Sequence, residues 1–169
     1  MTRLTAVLAD ITTLDVDAIV NAANSELAVG GGVCGAIHRA AGPALAEACR
    51  QVAPCPTGEA RITEGYGLKA KYVIHAVGPR WMGGRRGEAE LLASAYRSAV
   101  QLAKEQGLAT IAFPAISTGI YGYPPEEAAG VAVHAVRSAT MEPSSLQEVF
   151  FACFDERMLD LYVRNGVTG

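Results

Sequence analysis

The chain has 169 residues, the length of one domain, with 14 Lys+Arg against 17 Asp+Glu and a net charge of −3. That balance excludes nucleic-acid binding through bulk positive charge, although backbone amides can still hold a small anion. Hydrophobic residues make up 50% and charged residues 18%, which excludes intrinsic disorder, and 18 glycines exceed ordinary usage.

The first apolar run, residues 3–9, reads as a buried strand and ends at Asp10. It has no cleavage site of a secretory signal, and no run in the chain is long enough to span a bilayer. A second strand is expected at 17–21. Residues 35–51 have helical spacing, interrupted at Gly42-Pro43. Residues 59–66 and 71–77 are β-rich with no helix between them, which predicts a mixed sheet. Glycines 83, 84 and 87 frame a loop in which Arg85 and Arg86 read as solvated. A helix over 88–106 closes at Gly107, and a strand follows at 109–113. A helix over 125–139, a strand over 148–154 and a helix over 156–165 complete the chain. Strands alternating with helices predict an α/β fold with helices on both faces of the sheet. Cys34, Cys49, Cys55 and Cys153 form no C-x-x-C pair, and no His stands at a zinc-finger offset, so no metal site is expected. A chain of this size needs no disulfides, and its thiols suit a reducing cytoplasm.

Chemistry concentrates in two glycine-bearing loops. Gly30-Gly31-Gly32-Val33-Cys34-Gly35 leads into a helix. Consecutive glycines allow close backbone approach, and a helix N-terminus offers free amides to an anion, most naturally a phosphate. Pro114 to Pro124 follows a strand and precedes a helix, at the sheet edge where α/β ligands bind. Its Ser117, Thr118 and Gly119 suit a second phosphate, and Tyr121 and Tyr123 offer ring faces to a sugar or base. Asp10 reads either as an acceptor for an exocyclic amine or as a turn cap. Asn21 and Asn24 suit ribose hydroxyls or the satisfaction of their own loop. Cys34 and His38 are four apart on one helix face. They read as a thiol–imidazole pair or as a buried thiol beside a helix histidine. His75 reads as a hydrogen-bonded core or strand-end residue.

Six segments together resemble the macro domain family in its MacroD-type branch: LADIT (8–12), NAANSEL (21–27), GGGVCGAIHRAAG (30–42), CPTGEARIT (55–63), YVIHAVGP (72–79) and PAISTGIYGYP (114–124). The resemblance implies a single domain of residues 1–169. It implies a three-layer α/β/α sandwich with a mixed central sheet of about six strands and an ADP-ribose cleft at the strand ends. Asp10 and the Ile11 amide are then expected at the adenine, with Phe154 packed against it. Gly30, Gly31, Gly32 and Val33 are expected on the diphosphate, opposite Ser117, Thr118, Gly119, Ile120 and Tyr121. Asn24 is expected at the distal ribose, with Tyr121 walling that pocket. Asn21 and His38 match positions tied to catalysis or its support; the expected catalytic set is Asn24, Cys34 and His38, with Asn21 on the ligand. Family hydrolases usually carry an aspartate at the Cys34 position, which water activation uses. The expected partner is ADP-ribose or an ADP-ribosyl derivative, including mono-ADP-ribosylated proteins, with no cofactor. Two activities follow: hydrolysis of O-acetyl-ADP-ribose or of ester-linked mono-ADP-ribose, or reading of ADP-ribose without turnover.

Overall fold

The apolar runs form six strands: β1 (Arg3–Leu8), β2 (Ala18–Ala22), β3 (Ala60–Glu64), β4 (Tyr72–Ala76), β5 (Thr110–Phe113) and β6 (Glu148–Cys153). Five helices connect them: α1 (Gly32–Ala41), α2 (Ala44–Val52), α3 (Glu88–Glu105), α4 (Pro125–Ala139) and α5 (Glu156–Arg164). The computed structural model describes all of residues 1–169. The strands form one sheet in the order β1-β6-β5-β2-β4-β3. Every pairing is parallel except β3 with β4, the two runs without a helix between them.

Strand side chains alternate between two cores. Ala18 and Val20 of β2 face the larger core, which receives α3, α4 and α5. Ile19 faces the other, which receives α1 and α2. Sheet and helices thus form the expected three-layer α/β/α sandwich. No helix is long and apolar enough to cross a membrane.

Two local features depart from expectation. A 3-10 turn over Ile11–Thr13 follows β1, capped by Asp10. The first helix begins at Gly32, three residues earlier than expected, with Gly31 as its N-cap. Part of the glycine run is therefore the first turn of α1.

Because five strands run parallel, their carboxyl ends share one edge of the sheet. That edge gathers Ile11 after β1, Asn24 and the glycine run after β2, Arg80 after β4, Pro114–Tyr121 after β5 and Phe154 after β6.

Candidate functional site

A cavity of about 500 Å³ opens at this edge, between Asn24, Gly30–Cys34, Gly78, Arg80, Pro114–Tyr121 and Phe154. A smaller one of about 190 Å³ adjoins it, lined by Ile11, Val33, Thr118, Phe154, Asp155 and Arg157 among others. Val33, Thr118 and Phe154 line both, so the two are lobes of one cleft.

The glycine side is built for close approach. A Cβ on Gly35 would stand 2.7 Å from the Gly30 carbonyl oxygen, so only glycine lets the loop fold onto α1. Gly32 has φ +56, which an L side chain rarely adopts. The N–H groups of Gly31, Gly32, Val33 and Cys34 donate to nothing within the protein, as expected of a helix's first turn.

The facing loop reaches a similar result by packing. Ser117 has φ +70 without being glycine. A Cβ on Gly78 would meet the Ser117 Oγ at 2.3 Å and Ile116 Cγ2 at 2.5 Å, so β4 and the loop touch backbone to side chain. Buried Tyr96 of α3 holds the loop's start: its hydroxyl donates to the Pro114 carbonyl (3.3 Å) and accepts from the Ile116 N–H (3.2 Å). The N–H groups of Ser117, Gly119, Ile120 and Tyr121 have no acceptor in the protein. The Ser117 hydroxyl is buried without a partner. Two sets of unengaged amides thus flank one cavity, an arrangement suited to a diphosphate.

Beneath the glycine side runs a buried hydrogen-bond chain. The Asn21 amide donates to His75 Nδ1 (3.0 Å) and to Cys34 Sγ (3.7 Å). An amide donor at Nδ1 leaves the His75 proton on Nε2, which donates to Thr63 Oγ1 (3.0 Å). The Thr63 hydroxyl in turn donates to the Glu64 carbonyl, and the Cys34 thiol to the Ala28 carbonyl. Burial, with a lesser contribution from His38, drives the His75 pKa down to about 3, so its ring stays neutral. Burial likewise lowers His38.

Of the residues singled out in the sequence, Gly30–Val33, Asn24, Cys34, Ser117–Tyr121 and Phe154 line the cleft. Phe154 is 81% exposed, an unburied aromatic beside the smaller lobe. Other expected residues stand elsewhere. Asp10 lines neither lobe: its Oδ1 accepts from the Thr12 N–H and hydroxyl, which realises the capping role, and Oδ2 remains unpaired. Asn21, expected at the ligand, is only 1% exposed and points at His75, because β2 alternation turns it inward. His38 is also buried, and neither ring nitrogen has a partner. No hydrogen bond joins it to Cys34, whose thiol turns to Ala28, so no thiol–imidazole pair forms. Tyr123 is buried against Trp81 (centroids 4.7 Å apart) and offers no ring face. Asn24 pairs both amide ends with the Ala28 backbone, closing its own loop while lining the cavity.

Sequence reading missed Arg80, Asp155 and Arg157. Arg80 is the only ionised side chain lining the larger lobe. Its signal was its place two residues beyond Gly78, at the carboxyl end of a strand. No group of three or more His, Cys, Asp or Glu side chains converges as metal donors would.

The family model described as "Macro domain" matches residues 20–132. A macro domain-containing protein of Chlorobaculum tepidum, CT2219, is 60% identical over 164 residues, covering 97% of this chain and 95% of its own. A Klebsiella pneumoniae protein named O-acetyl-ADP-ribose deacetylase is 56% identical, covering 94% of this chain and 93% of its own. Among solved structures, the Oceanobacillus iheyensis macrodomain with ADP superposes with TM-score 0.89 at 42% identity, covering 95% of this chain and 87% of that one. The Trypanosoma brucei macrodomain in complex with ADP-ribose gives TM-score 0.90 at 42% identity, covering 96% and 68%.

Proposed function

The chain belongs to the macro domain family, and from that premise we propose that it binds ADP-ribose and hydrolyses an ester at the distal ribose. The substrate is O-acetyl-ADP-ribose or mono-ADP-ribose ester-linked to a protein carboxylate. The two sets of free amides flanking one cavity carry this reading. They hold the α- and β-phosphates, Gly31–Cys34 on one side and Gly119–Tyr121 on the other. Phe154 and the Ile11 amide receive the adenine in the smaller lobe, with Asp10 Oδ2 accepting from its amine. Asn24 and Tyr121 flank the distal ribose. The relatives named O-acetyl-ADP-ribose deacetylase support the reaction class.

Fixed amide dipoles hold the diphosphate without reorganising. Water adds to the acyl carbon, and the bond from that carbon to the ribose oxygen breaks. The acid and the ribose hydroxyl leave, water supplying the hydrogen. Cys34 faces this region as a thiol whose hydrogen is directed at Ala28, not as a carboxylate, so a substrate phosphate oxygen is the base that draws water's proton. Asn21 and His75 hold the thiol from behind, and no cofactor is required. Residues 1–169 act as one domain built on one sheet. A cytoplasmic location fits its four unpaired cysteines.

The second reading, an ADP-ribose reader, is favoured by Cys34 standing where family hydrolases usually carry aspartate. Incubation with O-acetyl-ADP-ribose and with an ester-linked mono-ADP-ribosylated protein decides between them. Release of free ADP-ribose by the wild type, faster in Cys34→Asp and unaffected by alkylation, is the expected result. A wild type that binds ADP-ribose and releases none is a reader.

A further inference from the structure

We propose that the loop after β4, residues 80–87, is a basic lip that docks an acidic protein segment surrounding an ADP-ribosylated carboxylate side chain. This rests on the reading above, which places the distal ribose, and whatever is attached to it, at the Asn24–Tyr121 end of the cleft.

The lip gathers three arginines, Arg80, Arg85 and Arg86, in a molecule whose net charge is −3. All three are exposed. None takes part in an ion pair; the five in the molecule use Arg3, Arg50, Arg61, Arg97 and Arg164. The segment 80–87 contains no acidic residue. Arg85 and Arg86, read from sequence as solvated, thus share a loop with the one cation lining the larger lobe.

The lip is also held in place. The Trp81 N–H donates to the Tyr121 carbonyl (2.8 Å), which ties the loop to the cleft's facing wall. The Arg80 guanidinium lies over the Tyr121 ring, 5.2 Å from its centroid. Glu88, 2% exposed at the start of α3, accepts from the N–H groups of Met82 (2.8 Å), Gly84 (2.9 Å) and Arg86 (2.6 Å). Burial pushes its carboxyl up, but those backbone donors outweigh it and hold the pKa at about 2. Glu88 therefore spends its carboxylate oxygens on the loop's backbone, and none of the three guanidinium groups is engaged in an ion pair. An acetyl ester is too small to reach Arg85 and Arg86, whereas a modified protein must pass its chain over the rim. Carboxylates flanking the modified residue complement this charge and raise affinity without entering the cleft.

The test compares three probes by calorimetry: free ADP-ribose, a hydrolysis-resistant amide-linked ADP-ribosyl peptide flanked by Asp and Glu, and the same peptide flanked by Asn and Gln. Wild type is expected to bind the acidic peptide about tenfold more tightly than the neutral one at low salt, with the preference shrinking as salt rises. The double variant Arg85→Glu, Arg86→Glu is expected to abolish the preference while ADP-ribose affinity and melting temperature stay unchanged. Arg80→Gln is expected to reduce the preference as well. Equal affinity for both peptides in the wild type overturns the proposal, as does a preference that survives the double variant. Tighter binding of a single-stranded oligoribonucleotide than of the acidic peptide overturns it too. If ADP-ribose itself fails to bind, the functional reading above has failed and the lip falls with it. If ADP-ribose binds and the flanks make no difference, the lip alone has failed.

Discussion

The two loops that clasp the cleft free their backbone amides by different physical means. After β2, glycine provides the conformation: Gly32 has φ +56, and a Cβ there meets nothing within 4 Å. After β5, packing provides it: Ser117 has φ +70 and is pressed against Gly78, with Tyr96 bracing the loop's first carbonyl and amide. A left-handed non-glycine residue persists only where its surroundings over-determine it. At Gly32 the first loop is open and can be altered without disturbing the core. The second is an extension of the core, so altering it disturbs both stability and binding.

The largest effect is expected at Gly78→Val, whose Cβ cannot coexist with the Ser117 Oγ. Thermal or denaturant unfolding should show a loss of about 3 kcal/mol, the upper range for overpacking, and ADP-ribose affinity should fall with it. A stable variant with intact affinity would mean that packing does not hold the second loop. Tyr96→Phe should cost about 2 kcal/mol, since it leaves the Pro114 carbonyl and Ile116 N–H buried and unpaired. Its melting curve and calorimetric affinity should fall together.

Gly32→Val should separate the two properties. A left-handed β-branched residue costs about 1–2 kcal/mol, and the helix end avoids it by turning its amides away. The expected outcome is roughly tenfold weaker ADP-ribose with a melting temperature close to wild type. A melting temperature that falls as far as that of Gly78→Val would erase the contrast between the loops.

At neutral pH the smallest effect is that of His75, which emerges only on acidification. Burial holds the His75 pKa at about 3, below the ordinary 6.5 of an unfolded chain, so the fold favours the neutral ring. That contribution is fully present above pH 6.5 and is lost as pH falls toward about 3. His75→Gln should therefore show a shallower loss of stability between those values, measured by denaturant midpoints. Acid should loosen the glycine side, which His75 supports through Asn21, before the β5 side.

The glycine run was legible because its conformation is written in residue type. The break at Gly42-Pro43 and the antiparallel β3–β4 pair were legible for a similar reason: local breakers and the missing helix decide them. The positive φ of Ser117 was not legible, because Ser117 packs against Gly78, 39 positions away in the chain. The inward turn of Asn21 follows from the alternation of β2, whose inner face is known only once β4 and its His75 are paired beside it. The capped turn at Asp10 and the place of Arg80 depended on local closure and strand order in the same way.

Length, composition and the order of apolar runs determined the layered α/β class, and glycine placement determined where an anion would meet bare backbone. These are local properties: periodicity, φ freedom and the absence of a side chain act over a few residues. Tertiary structure decided which polar groups reach the cleft. It sent Asn21, His38 and His75 into the interior, strained Ser117, turned the Cys34 thiol toward Ala28 and placed Arg80 on the wall. Those outcomes depend on parallel strands bringing distant segments to one edge, where each side chain's direction is set by its neighbours across the sheet.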